Sequence, residues 1–178
     1  MNVTLIGMAG AGKSHLGEKL ARELGLEWVD SDVLLSEAHE GRDIQSILDE
    51  LGEERYLGTE AKICMDHTRG RDNLLLSPAG SIVYNDVWLK HVCDISIVIY
   101  LRVPYETIEE RLAKVPPRAV IGLGRKTLRE LYDDRHPRYE QSADLIIDTH
   151  GRETDRTAQM IIDFVRLTKK NGRSTPLR

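Results

Sequence analysis

The stretch Gly7-Met8-Ala9-Gly10-Ala11-Gly12-Lys13-Ser14 fits the pattern G-x-x-x-x-G-K-[ST] without a mismatch and follows directly on the apolar run Val3-Thr4-Leu5-Ile6. Each part of the pattern has a chemical reason. Glycines let successive backbone N–H groups turn inward around phosphate oxygens, where a side chain would block the approach. The helix expected from Lys13 onward points its positive dipole end at the same anion. Lys13 would reach the β and γ phosphates, and the Ser14 hydroxyl would hold Mg²⁺. A glycine-rich turn that binds nothing is the plain alternative. The position between a strand-like run and a helix-like run favours nucleotide phosphate binding.

Working outward, short apolar runs alternate with longer helical patterns, which predicts an α/β fold of parallel strands joined by crossover helices. Strands are expected at Val3–Ile6, Glu27–Val29, Leu74–Leu76, Ile95–Leu101 and Leu145–Ile147. The fourth reads as a continuous apolar run, as a strand buried on both faces should. The intervening segments predict helices at Lys13–Leu24, Val33–His39, Ile44–Leu51 capped by Asp43, Glu53–His67, Asn85–Val92, Tyr105–Ala113, Thr127–Arg135 and Thr154–Lys169. Lys114 to Arg125 fits no element; it holds Pro116-Pro117, Gly122 and Gly124, with Arg118 in the middle. Beside a phosphate loop it reads as a lid rather than a plain surface excursion. Residues 170–178 read as a disordered, basic tail, leaving 1–169 as a single domain.

Composition narrows the function classes. Of 178 residues 30% are charged, both signs are interspersed, and the net charge is −4, so no nucleic-acid footprint is visible. No segment approaches the ~18 apolar residues of a membrane span, and the chain enters a strand at once, without a signal peptide. Cys64 and Cys93 lie far apart in apolar surroundings and read as reduced thiols. A soluble cytoplasmic domain is expected.

Asp30-Ser31-Asp32 follows Trp28-Val29, at the expected C-terminal end of a parallel strand, where ligand crevices open in α/β sheets. One carboxylate can order the water around Mg²⁺ while the other accepts a proton from an attacking hydroxyl. Helix capping is an equally ordinary use of the same residues.

Taken together the chain resembles the shikimate kinase family over nearly its whole length. The resemblance is carried by Gly7–Ser14 with Leu16-Gly17 and Leu20-Ala21, and by Asp30-Ser31-Asp32. It continues through Ser77-Pro78-Ala79-Gly80-Ser81-Ile82-Val83, Arg118, and Arg135-His136-Pro137-Arg138-Tyr139 followed by Ala143-Asp144. It implies a three-layer P-loop kinase fold: a five-stranded parallel sheet of order 2-3-1-4-5, flanked by helices, with a lid at about 114–125. The implied activity is transfer of the ATP γ-phosphoryl group to a hydroxyl of a small anionic metabolite, with Mg²⁺, and a monomer is favoured. By the same resemblance Gly10, Ala11, Gly12, Lys13, Ser14 and His15 surround the nucleotide, and Ser14 and Asp30 attend the metal. Asp32 orients or deprotonates the acceptor hydroxyl, Gly80 shapes the acceptor pocket, Arg135 grips an acceptor carboxylate, and Arg118 closes over the transferring group. Arg111 and Arg152 are candidates for adenine contacts.

Departures from the family pattern cluster on the acceptor side. In Tyr56-Leu57-Gly58-Thr59-Glu60, Leu57 stands where the family has an arginine on the substrate carboxylate, and leucine supplies neither its donors nor its charge. Arg55 is two residues away, on another helix face. The glycine triplet is reduced to Gly80, between Ala79 and Ser81 and after Pro78. His15 replaces a usual threonine. Three readings follow: a kinase of the same chemistry with another acceptor, an authentic shikimate kinase that tolerates the changes, and an ATP-binding module that has lost catalysis.

Overall fold

A computed structural model describes residues 1–116 and 119–170. Its five strands, β1 (Asn2–Ile6), β2 (Glu27–Asp30), β3 (Leu74–Ser77), β4 (Ser96–Arg102) and β5 (Leu145–Asp148), form one sheet of order β2-β3-β1-β4-β5. All four pairings are parallel. The three central strands β3, β1 and β4 are buried along almost their full length, and Val3, Leu5, Ile6, Leu75, Val98 and Ile99 are fully enclosed. Their register carries the function: Asp30 pairs with Ser77 and Ile6 with Tyr100, so three loops leave the sheet side by side at its C-terminal edge.

Helices α1 (Lys13–Leu24), α2 (Ser31–Ala38), α3 (Ile44–Leu51), α4 (Glu53–Thr68), α5 (Asp86–Ile95), α6 (Tyr105–Ala113), α7 (Leu128–Ser142) and α8 (Thr154–Lys170) flank the sheet. On α1, Leu16, Leu20 and Ala21 face the core, and Gly25 ends the helix in the left-handed conformation that a side chain disfavours. Gly17 lies against the Trp28 indole so closely that a Cβ would come within 2.0 Å of the ring. Any larger residue there would force the Trp28 ring or α1 to shift.

Beyond the main core, Leu35, Ile47, Tyr56 and Ile121 make a second apolar cluster joined by Ile44, Leu48, Leu51, Leu57 and Ile63. It welds α2, α3 and α4 to the segment after residue 118. Glu53 strengthens that weld by accepting the Gly122 N–H (2.8 Å) and pairing with Arg125.

Three sequence expectations need correction. The seventh helix continues through Pro137 to Ser142 instead of stopping at Arg135. The proline forfeits a main-chain bond, but buried Arg135 and Tyr139 anchor the helix on both sides of it. Ile95 ends α5 rather than starting β4, because the Ser96 N–H still reaches the Val92 carbonyl. Gly80–Tyr84 forms a 3₁₀ turn where no element was expected. Of the expected lid, Pro117 and Arg118 lie outside the described residues, as does the tail beyond Lys170.

Candidate active site

The loop after β1 wraps toward α1 through Gly10 (φ 82°) and Gly12 (φ 95°), both in the left-handed region. Gly7 leaves no room for a side chain, since a Cβ would sit 2.9 Å from the Leu101 carbonyl oxygen. Ala11 is buried under the loop and its N–H donates to the Met8 carbonyl at 3.1 Å. Gly12 caps α1 without a side-chain acceptor, so the first N–H groups of the helix are left for an anion. Lys13 Nζ donates to the carbonyls of Gly7 (2.8 Å) and Met8 (3.1 Å), which aims its charge along the concave side of the loop.

Across from it, Asp30 does two things at once. One carboxylate oxygen accepts the Asp32 N–H (2.9 Å) and caps α2; the other accepts from the Ser14 hydroxyl at 3.2 Å. Capping and function, alternatives in the sequence, are therefore compatible: the cap fixes the carboxylate that faces Ser14. This pair of hard oxygen donors beside a phosphate loop fits Mg²⁺ in donor type.

A cavity of about 970 Å³ runs from this loop to Arg135. Gly10, Gly12, Lys13, Ser14, His15 and Asp30 line its phosphate end, and Asp32, Tyr56, Ala79, Gly80, Ile121 and Arg135 its other end. Arg111 lines the rim and donates to the Gly10 carbonyl at 2.9 Å. Arg152 is not in the lining; it lies exposed after β5 with a guanidinium N–H on the Met160 sulfur at 3.4 Å.

Arg135 is 1% exposed, stacks its guanidinium 4.9 Å over the Tyr84 ring and donates to the Ile121 carbonyl at 2.6 Å. Its buried Nε has no hydrogen-bond partner among the described residues. A buried cation with an unpartnered donor at the end of a cavity has the chemistry to pair with an anionic group. Gly80 is fixed by contact rather than by backbone angle: an added Cβ would meet the Tyr139 hydroxyl at 3.1 Å and the Gly7 carbonyl at 3.2 Å. Tyr139 in turn donates to the Gly80 carbonyl at 2.5 Å, and burial pushes its phenol up to about 12.

Leu57 does not line the cavity. It packs into the second apolar cluster, whose members Tyr56 and Ile121 wall the Arg135 end of the cavity, so this position contributes apolar packing and no charge. Arg55 is exposed and outside the lining, as its helix face requires.

Sequence reasoning passed over Tyr56, Tyr139, Ile121 and Glu60 as site residues. Tyr56 and Glu60 share the buried face of α4 at i, i+4 spacing, a signal that pairs them alongside the family element around Leu57. Burial raises the Glu60 carboxyl from its ordinary 4.5 to about 7, against hydrogen bonds from Ser31 and Ala79 that pull it down; the charges of Asp32 and Asp30 add to the rise.

The shikimate kinase family profile matches residues 9–166. A shikimate kinase of Persephonella marina is 32% identical over 165 residues, covering 93% of this chain and 99% of that protein. One from Vibrio cholerae is 32% identical over 169 residues, covering 92% and 94%. Among solved structures, shikimate kinase from Acinetobacter baumannii in complex with shikimate superposes with a TM-score of 0.81 at 29% identity, covering 94% of each chain. The sheet order, the loop after β1 and these matches along nearly the whole sequence agree, and the chain belongs to the shikimate kinase family of ATP-dependent phosphotransferases that act on an alcohol.

Proposed function

We propose that this protein transfers the γ-phosphoryl group of Mg²⁺-bound ATP to a hydroxyl of shikimate, seated between Asp32 and Arg135. The observation that carries the reading is the continuous cavity, which joins a phosphate loop at one end to a buried arginine at the other. In this reading the loop N–H groups and Lys13 bind the phosphates, and Ser14 and Asp30 hold Mg²⁺, which supplies charge neutralisation when bound. Arg135 takes the acceptor carboxylate and sets the acceptor's orientation. Asp32 accepts the proton of the attacking hydroxyl. Arg118 is assigned to the transferring group by resemblance alone, and Arg111 to the nucleotide base. Positioning and preorganised charge supply the rate, as is general for phosphoryl transfer.

Leu57 shapes the quantitative expectation. One guanidinium arm on the acceptor carboxylate is absent, and a hydrogen bond to a charged group is worth roughly 1.5–3 kcal/mol. The affinity for shikimate should therefore be about tenfold or more below that of an enzyme with two arms. The residues 1–169 are proposed to act as one cytoplasmic kinase domain; no described helix is long and apolar enough to cross a membrane.

The test is ADP release from Mg²⁺-ATP, read in a coupled assay with saturating shikimate against a blank without acceptor. Shikimate-dependent turnover supports the assignment. ATP binding without shikimate-dependent turnover overturns the acceptor and directs the search to other hydroxylated acids.

A further inference from the structure

Arg135 is 1% exposed, and its Nε has no hydrogen-bond partner among the described residues. Enclosing a guanidinium without a counter-ion is costly. The carboxylate next to it in the chain is committed elsewhere. Asp134 accepts the Tyr84 hydroxyl at 2.7 Å and Lys126 Nζ at 3.1 Å, and stands 3.8 Å from Arg138 Nε. Arg135 instead faces the Tyr84 ring, with 4.9 Å from the guanidinium carbon to the ring centre, and donates to the neutral Ile121 carbonyl at 2.6 Å.

Three contacts with α7 hold the 3₁₀ turn that carries this ring. Tyr139 donates to the Gly80 carbonyl at 2.5 Å, Arg138 to the Val83 carbonyl at 3.3 Å, and Tyr84 itself to Asp134. The ring is thereby fixed against the stretch of α7 that carries Asp134, Arg135 and Arg138. A cation within about 6 Å of an aromatic centre is attracted by the ring quadrupole, most strongly where water is excluded. The bond from the Tyr84 hydroxyl to a carboxylate polarises the phenol and adds to that attraction. A carboxylate in the ring's place would take the N–H donors of Arg135 and cancel its charge, so an incoming anion would have to displace it. A ring face cancels no charge and takes none of the donors, which lie in the guanidinium plane. We propose that Tyr84 is a positioning residue of the acceptor end, holding Arg135 by its ring face while leaving the charge and donors of Arg135 for the acceptor's anionic group. This role rests on the acceptor reading above.

A decisive test changes the ring's electrons and keeps its shape. Replacing Tyr84 with phenylalanine carrying none, one, two and then three ring fluorines drains the ring face in steps. Tyr84→Phe itself should stay within about threefold of wild type, because the ring remains. Each fluorine should then raise the shikimate KM about twofold, to about tenfold over the series, with the ATP KM within about twofold throughout. A residue that only fills space would leave both KM values flat, and a flat series overturns the proposal. A series in which the two KM values climb together overturns it as well. If the wild-type protein shows no shikimate-dependent turnover, the acceptor reading fails separately and the contact is read without ligand. Urea midpoints along the same series should then fall in steps in the Arg135 protein and stay level in an Arg135→Met background. Equal behaviour in the two backgrounds overturns the proposal.

Discussion

The two ends of the cavity are built in different ways. The phosphate end comes mostly from one contiguous stretch, Gly7 to His15, joined by Asp30 at the end of β2, and the loop groups that face the anion are mostly backbone, so glycine placement and one lysine specify most of it. The acceptor end draws on α2, α4, the turn after β3, the segment at Ile121 and the middle of α7, and its binding groups are side chains. The departures from the family pattern noted in the sequence lie mainly toward the second, with only His15 at the first: Leu57 packs into an apolar cluster, and Gly80 stands alone between Ala79 and Ser81. A backbone anion site tolerates little change because any side chain enters the space of the phosphate. A side-chain site can be retuned one residue at a time.

Four experiments probe that contrast. The largest effect is expected at the phosphate end: Lys13→Ala should lower turnover about a thousandfold or more, measured as ADP release. Unchanged turnover in that variant would remove the loop from the chemistry. At the junction of the two ends, Asp32→Asn should cut kcat about a hundredfold while leaving the ATP dissociation constant within about twofold. Equal rates for variant and wild type would take Asp32 out of the mechanism.

The third concerns stability against pH, with EDTA present so that no metal contributes. The Glu60 carboxyl in the folded chain holds its proton up to about 7, above its ordinary 4.5. Between those values the folded state binds more protons than the unfolded one, so stability falls as pH rises through this window. The loss across the window is at most about 3 kcal/mol, and Glu60→Gln should abolish it. Denaturant midpoints at pH 5 and pH 8 give the measurement. A Glu60→Gln protein with the same pH slope as wild type would show that the slope comes from elsewhere.

The smallest effect is expected from Leu57→Arg. Since Leu57 packs among aliphatic side chains and not on the cavity, the arginine should lower the melting temperature and change the shikimate KM by less than about threefold. A tenfold fall in KM would instead show that the acceptor end lacks only a cation, and that the two ends differ less than their construction implies.

Much of the fold was legible from short-range signals. Apolar runs marked all five strands, and caps such as Asp43 and stops such as Gly25 marked helix ends to within a residue or two. The errors fell where long-range contacts override local ones. Pro137 is a helix breaker by local rules, and only the anchoring of Arg135 and Tyr139 carries α7 through it. Asp30, ambiguous between cap and metal residue, proved to serve Ser14 and the α2 cap together.

By itself the sequence determined the phosphate loop, the α/β class and the family, because these depend on residues adjacent in the chain or on periodicity within one element. Only the tertiary structure decided that Leu57 turns into an apolar cluster, that Arg135 is enclosed between Tyr84 and the Ile121 carbonyl, and that the Glu60 carboxyl is buried. Those facts depend on which helix faces meet across dozens of residues. Burial, which sets both the cost and the direction of every polar group there, is a property of that packing and of no single segment.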